Sequence, residues 1–151
     1  MLNEIYSRRI LELAANIPRL GRLSDAQGSA VAHSKLCGST VTVDVKLEGD
    51  VVSDFAHEVR ACALGQATSS LMAEHVVGTS VAELRSLRDQ VRAMLKENGA
   101  PPSGKWVDMQ AFEPVREYKA RHHSTLLTFD AVVDACEKAM AARVGAEKVS
   151  A

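Results

Sequence analysis

Val59-Arg60-Ala61-Cys62-Ala63-Leu64-Gly65-Gln66-Ala67 is the stretch on which the fold turns: a strand-like run ends, a cysteine follows, and a helix-forming sequence begins. A thiol at that corner is well placed for chemistry, because the first turn of a helix presents unpaired N–H groups and positive partial charge. The run behind it, 51–59, has the patterning of a strand. Upstream, Leu36-Cys37-Gly38-Ser39 precedes the alternating run Val41-Thr42-Val43-Asp44-Val45-Lys46-Leu47, and Glu48-Gly49-Asp50 fits a short turn with glycine at a positive-φ position. These two strands read as a hairpin that brings Cys37 back beside Cys62. Alternation places Val41, Val43, Val45 and Leu47 on the core side, with Thr42, Asp44 and Lys46 opposite.

Working outward, Ala30–Ser34 supplies a first strand, so three antiparallel strands precede Cys62. Before them, residues 3–15 suit an amphipathic helix with Asn3 as a cap, ended by Ile17-Pro18. After Cys62, residues to Val77 favour a helix with Ala61, Leu64, Thr68, Leu71 and Met72 on one face and Gly78 as its stop. Ser80-Val81-Ala82-Glu83 is a capping box that opens a second helix, whose apolar stripe runs through Leu84, Leu87, Val91, Met94 and Leu95. Ala100-Pro101-Pro102-Ser103-Gly104 breaks the chain. An excursion over 101–119 follows, with a short helix around 109–118 and Trp106 or Phe112 as its anchor. Arg121-His122-His123-Ser124 then opens a long amphipathic helix that fades into a polar tail after Arg143. Strands first and helices later predict an α+β domain: a three-stranded antiparallel sheet with helices packed mainly on one face. One domain over 1–151, with an insertion at about 100–119, is expected.

The composition is ordinary for a water-soluble globular chain, with 46% hydrophobic and 25% charged residues. A net charge of −1 offers no whole-chain attraction to nucleic acid or an anionic membrane. No apolar run reaches the roughly 20 residues that span a bilayer, and Met1-Leu2-Asn3-Glu4 lacks a signal-peptide opening, so a cytoplasmic protein is expected. Three cysteines form no even disulfide framework, which leaves them as ligands, nucleophiles or small core residues. Cys136 lies mid-helix among Val132, Val133 and Met140 and reads as core. Cys37 and Cys62 lack a CxxC spacing, so the pair alone is weak evidence for a metal. His122 and His123 read as solvent-facing residues at a helix start, unless that start meets the two cysteine loops and offers an imidazole to a shared ion.

Taken together, Leu36-Cys37-Gly38, the run 41–49, Ala61-Cys62-Ala63-Leu64-Gly65-Gln66-Ala67 and Arg121-His122-His123-Ser124 resemble the IscU/SufU/NifU-N family of iron–sulfur cluster assembly scaffolds. The resemblance covers nearly all of the chain after Ser29. The spacing from Cys62 to Ser124, with the 101–118 segment inside it, and Arg121 three residues before Ser124 are SufU-like; His123 matches a histidine that precedes the third cysteine in IscU. The chain departs from the family at two ligand positions. Ser39 stands where the family has aspartate, and Ser124 where it has its third cysteine. A neutral hydroxyl is a poorer ligand for zinc or iron than thiolate, imidazole or carboxylate. Cys136 is no substitute, lying about 18 Å along a helix beyond Ser124.

The resemblance implies a non-enzymatic scaffold that binds iron, a labile Fe–S cluster or zinc through Cys37, Cys62 and His123. It implies a cysteine desulfurase and cluster-acceptor proteins as partners, and no nucleic acid or membrane. In the family, sulfur arrives as persulfide, commonly at the third-cysteine position; Ser124 cannot carry one, so Cys37 or Cys62 would accept it. A metal-free interaction module that keeps the fold and a desulfurase-facing surface is the alternative, and a zinc-dependent sulfurtransferase a third.

Overall fold

The alternating run folds as the strand its pattern predicts. The computed structural model describes residues 6–35 and 38–150, the last five of these by backbone alone. Strands β1 (Gly28–His33), β2 (Thr40–Glu48) and β3 (Val51–Arg60) form one antiparallel sheet in the order β1-β2-β3. β1 starts and ends earlier than expected, which leaves Ser34 in a closed loop: its N–H donates to the Ser39 carbonyl, and its own carbonyl accepts from Gly38. Gly49 turns the β2–β3 hairpin at φ +65°, where a side chain would be strained. The pairing slips once, between Lys46 and Leu47.

Val41, Val43, Val45 and Leu47 are all buried on the inner face. The opposite face departs from expectation at one residue, because Asp44 is only 1% exposed. The turn-rich segment between α1 (Arg8–Ala15) and β1 crosses that face as a strap. Gly21 N–H donates to the His57 carbonyl and His57 N–H to the Arg19 carbonyl. Arg22 Nε and Nη2 then reach Asp44 at 2.7 and 3.0 Å, Leu23 N–H at 3.0 Å, and Ser29 Oγ at 2.6 Å. Both carboxylate oxygens are therefore saturated with donors. The Arg22 hydrogen bonds, with help from Ser29 and Leu23, outweigh burial and hold the Asp44 carboxyl down at about 2. Buried His57 fastens the strap through Nε2, 2.8 Å from the Pro18 carbonyl, and burial pushes its pKa down, favouring the neutral ring.

Helices cover the inner face. α1 is capped by Ser7, and Asn3, the expected cap, lies outside the described residues. α2 (Ala63–His75) is not amphipathic as predicted. Gly65, Ala67, Ser69, Ser70 and Ala73 are buried along with Leu64, Leu71 and Met72, because small side chains let α1, β3 and the last helix approach from several sides. α3 (Val81–Lys96) buries the predicted stripe, and Ser80 Oγ accepts from Glu83 N–H at 3.1 Å. The reciprocal half of the capping box is diverted, since the Glu83 carboxylate accepts instead from Trp106 Nε1 at 2.9 Å.

The segment Gly104–Glu117 is a 3-10 helix rather than a short α-helix. Trp106, Met109, Phe112 and Val115 are all buried, and their spacing of three puts them on one edge only if the helix has three residues per turn. Trp106 and Phe112 both act as the expected anchors. After a 3-10 turn at Lys119–Arg121, α4 (His122–Ser150) packs across β1 and β2 and against α2 and α3, and it continues past Arg143. The buried apolar side chains of the sheet, helices and 3-10 segment form one cluster.

Candidate functional site

The corner that ends β3 also starts α2, and Cys62 is its N-cap residue, with extended backbone at φ −67° and ψ 173°. Its side chain makes no capping bond and is half-buried. The thiol instead meets the first turn of α4, where Cys62 Sγ lies 3.6 Å from Ser124 Oγ. Ser124 is 3% exposed and donates to the Arg121 carbonyl at 3.2 Å, which Thr125 Oγ1 also reaches at 2.8 Å. Gly65 permits this meeting of two helix starts. A Cβ there would lie 2.7 Å from the Ala61 Cβ and 3.2 Å from the Ser124 carbonyl oxygen. Gln66 Nε2 donates to the Ala61 carbonyl at 2.9 Å and braces the corner from the other side.

The sheet register brings the second loop to the same end, because Thr40 pairs with Arg60. The residues just before Thr40 and just after Arg60 thus leave the sheet side by side. Ser39 is 3% exposed there, and Gly38 turns at φ +72°. Cys37, the other expected thiol, lies outside the described residues.

The two histidines behave differently from each other. His122 is buried, not solvent-facing: its Nε2 donates to the Val115 and Arg116 carbonyls at 3.1 and 3.0 Å and ties the 3-10 helix to α4. His123 is exposed, and its charge interaction falls on Asp130, whose carboxyl is pushed up by burial and pulled back by Arg92, Arg88 and His123. Arg121 lies over the Tyr6 ring, 5.8 Å from its centre. Cys136 is fully buried as expected, and burial pushes its thiol up to about 12.

These donors can be tested against a metal. Sulfur at about 2.3 Å and oxygen at about 2.0 Å on one tetrahedral zinc stand roughly 3.5 Å apart. The Cys62–Ser124 separation of 3.6 Å matches one edge of such a polyhedron, and it also suits a weak S–H to O hydrogen bond. Among the described residues, no three His, Cys, Asp or Glu side chains group closely enough to hold an ion. A single thiol beside a neutral hydroxyl does not make a complete site. Sequence reasoning misses Asp44 as a buried anion, although Arg22 and Ser29 are both able to donate to it, one from the strap and one from β1.

Known proteins share this arrangement of elements. The family model for the NifU-like N terminal domain matches residues 5–125. The iron-sulfur cluster assembly scaffold protein IscU of Thermotoga maritima is 29% identical over 134 residues, covering 89% of this chain and 94% of that protein. The zinc-dependent sulfurtransferase SufU of Bacillus subtilis is 24% identical over 131 residues, covering 87% and 88%. A crystal structure of a nitrogen-fixing NifU-like protein (N-terminal) from Brucella abortus superposes with a TM-score of 0.90 at 57% identity, covering 92% of this chain and 96% of that one. With most of its length matched by the family model, the chain belongs to the NifU-like N terminal domain family.

Proposed function

We propose that this protein is an iron–sulfur cluster assembly scaffold working with a reduced ligand set, in which Cys62 and Cys37 supply the thiolates and His123 an imidazole. The observation that carries this reading is the meeting of Cys62 with Ser124 at the paired starts of α2 and α4. It supports Ser124 as the occupant of the third ligand position. Iron or a labile cluster is the cargo. Zinc, held by the same residues, would fix the thiolates and mask them until a partner displaced it. Ser124 is confined to hydrogen bonding, and Ser39 offers a hydroxyl where the family resemblance expects a carboxylate.

Sulfur delivery would fall to Cys62. Its thiolate attacks the outer sulfur of a persulfide on a cysteine desulfurase; the S–S bond there breaks, a Cys62 persulfide forms, and the desulfurase thiolate leaves. No net oxidation occurs. Cluster-acceptor proteins would take the product. The protein acts in this reading as a carrier rather than a catalyst, as one domain over 1–151 with an insertion at about 100–119, in the cytoplasm. Among the described residues, no helix is long and apolar enough to cross a membrane.

A metal-free interaction module is the second reading, favoured by the neutral hydroxyls of Ser39 and Ser124 at two positions where the family resemblance expects a carboxylate and a thiolate. Elemental analysis of protein purified without added metal separates the two. Stoichiometric iron or zinc that disappears in Cys37→Ser and Cys62→Ser supports the scaffold. Metal-free protein whose exposed thiols titrate freely supports the module.

A further inference from the structure

A second polar site lies on the other side of the α4 start. The end of α3, the tail of the 3-10 helix and the first residue of α4 enclose a cavity of about 340 Å³, within the range of small-molecule pockets. Lys96, Asn98, Arg116, Glu117, Lys119 and His122 line it with Leu95, so three cationic side chains face one carboxylate. Lys96 also answers the negative end of α3, and Arg116 pairs with Glu113 at 3.4 Å, so the lining keeps only a small positive excess, carried by Lys119.

Arg116 is held in place before any ligand arrives. Its Nη2 donates to the Gly99 carbonyl at 3.3 Å and to Glu113 at 3.4 Å. Its Nε is buried and has no acceptor among the described residues. A buried guanidinium N–H without a partner is costly, and a small shift of the side chain toward the cavity would give it an oxyanion as acceptor. The walls are equally fixed. His122 pins the end of the 3-10 helix through two carbonyls, and Asn98 turns the chain after α3 at φ +55°. The cysteine and serine motifs do not account for this arrangement, and neither Cys62 nor Ser124 lines it.

We propose that the cavity between the α3 C-terminus, the 3-10 tail and His122 binds a small polyanion, a molecule carrying two or more phosphate or carboxylate groups. Binding is salt-sensitive because Lys96 and Lys119 are exposed.

Calorimetric titration of the whole protein at low ionic strength, with pyrophosphate in one arm and citrate in the other, tests the proposal. Saturable one-to-one binding is expected, and the tighter arm identifies phosphate or carboxylate chemistry. Lys96→Gln with Lys119→Gln should weaken it about tenfold or more while lowering the ligand-free unfolding midpoint only slightly, since both side chains are exposed and only the Lys96 contact with the α3 end is lost. Arg116→Lys, which keeps the charge and loses the fork, should weaken it as well. Failure of both anions to bind saturably, or a double lysine variant that binds as tightly as wild type, overturns the proposal. Neither result bears on the scaffold reading, whose Cys62 and Ser124 lie outside the cavity lining.

Discussion

The strap over β2 and the corner at Cys62 both bury polar side chains, and they differ in how completely those groups are used. Asp44 receives four donors on its two oxygens, from Arg22, Leu23 and Ser29. Cys62 meets Ser124 at 3.6 Å, and Ser124 is itself satisfied by a backbone carbonyl. A saturated group holds structure. A group with spare bonding capacity, at a junction where two helix starts meet, remains open to a ligand, and the difference between the two regions separates a staple from a site.

Asp44→Ala gives the largest expected effect, a loss of about 2–3 kcal/mol of unfolding free energy, because Arg22, Ser29 and the Leu23 amide lose their common acceptor together. Chemical denaturation reads it as a fall in midpoint with an unchanged slope. A loss under about 0.5 kcal/mol would mean that the strap holds without its carboxylate, and the contrast would collapse.

Acid titration comes next. The folded Asp44 carboxyl sits at about 2, below the ordinary aspartate value of 3.8. Its contribution is therefore present above the unfolded value and is lost progressively as pH falls through the folded one. About 1–2 kcal/mol should disappear over that window, reduced from the full linkage value because solvent screens the exposed half of the Arg22 pair. In Asp44→Asn the same window should flatten. An unchanged acid profile in that variant would place the titrating group elsewhere.

The smallest effect belongs to the corner. Cys62→Ser should change stability by no more than about 0.5 kcal/mol, since the thiol is half-buried and weakly bonded. A loss of about 2 kcal/mol or more by the same denaturation measurement would make Cys62 a packing residue rather than a spare ligand.

How much of this was readable in the sequence follows the range of the interactions involved. The β2–β3 hairpin was legible because alternation and a glycine turn are local. The Ser80 cap and the α3 stripe were legible for the same reason. Alternation puts Asp44 on the outer face, where it lies, but does not show its burial, since its partner Arg22 comes from a segment with no periodic pattern. The 3-10 helix is hidden from a period of 3.6 residues per turn, although Trp106, Met109, Phe112 and Val115 display a period of three. α2 looked one-sided because hydropathy alone separates Leu from Ser and Gly, whereas packing uses the smallness of Gly65, Ser69 and Ser70 on the remaining sides. At the site, the sequence placed Cys62 and Ser124 in motifs far apart in the chain, and their contact at 3.6 Å joins them. The residue pattern alone reads His122 and His123 alike, and only the family resemblance singles out His123. Their directions diverge by one residue's rotation around a helix, which buries His122 and leaves His123 exposed.

If Ser124 and Ser39 occupy weakened ligand positions beside Cys62, restoring the donors exposes it most directly. Zinc competition against a chromophoric chelator would compare wild type with Ser39→Asp/Ser124→Cys, each confirmed folded by its unfolding midpoint. A carboxylate and a third thiolate added to the same polyhedron predict zinc binding tighter by about a hundredfold or more in the double variant. Equal affinity in the two proteins would contradict the account, because neither serine would then stand at a metal position.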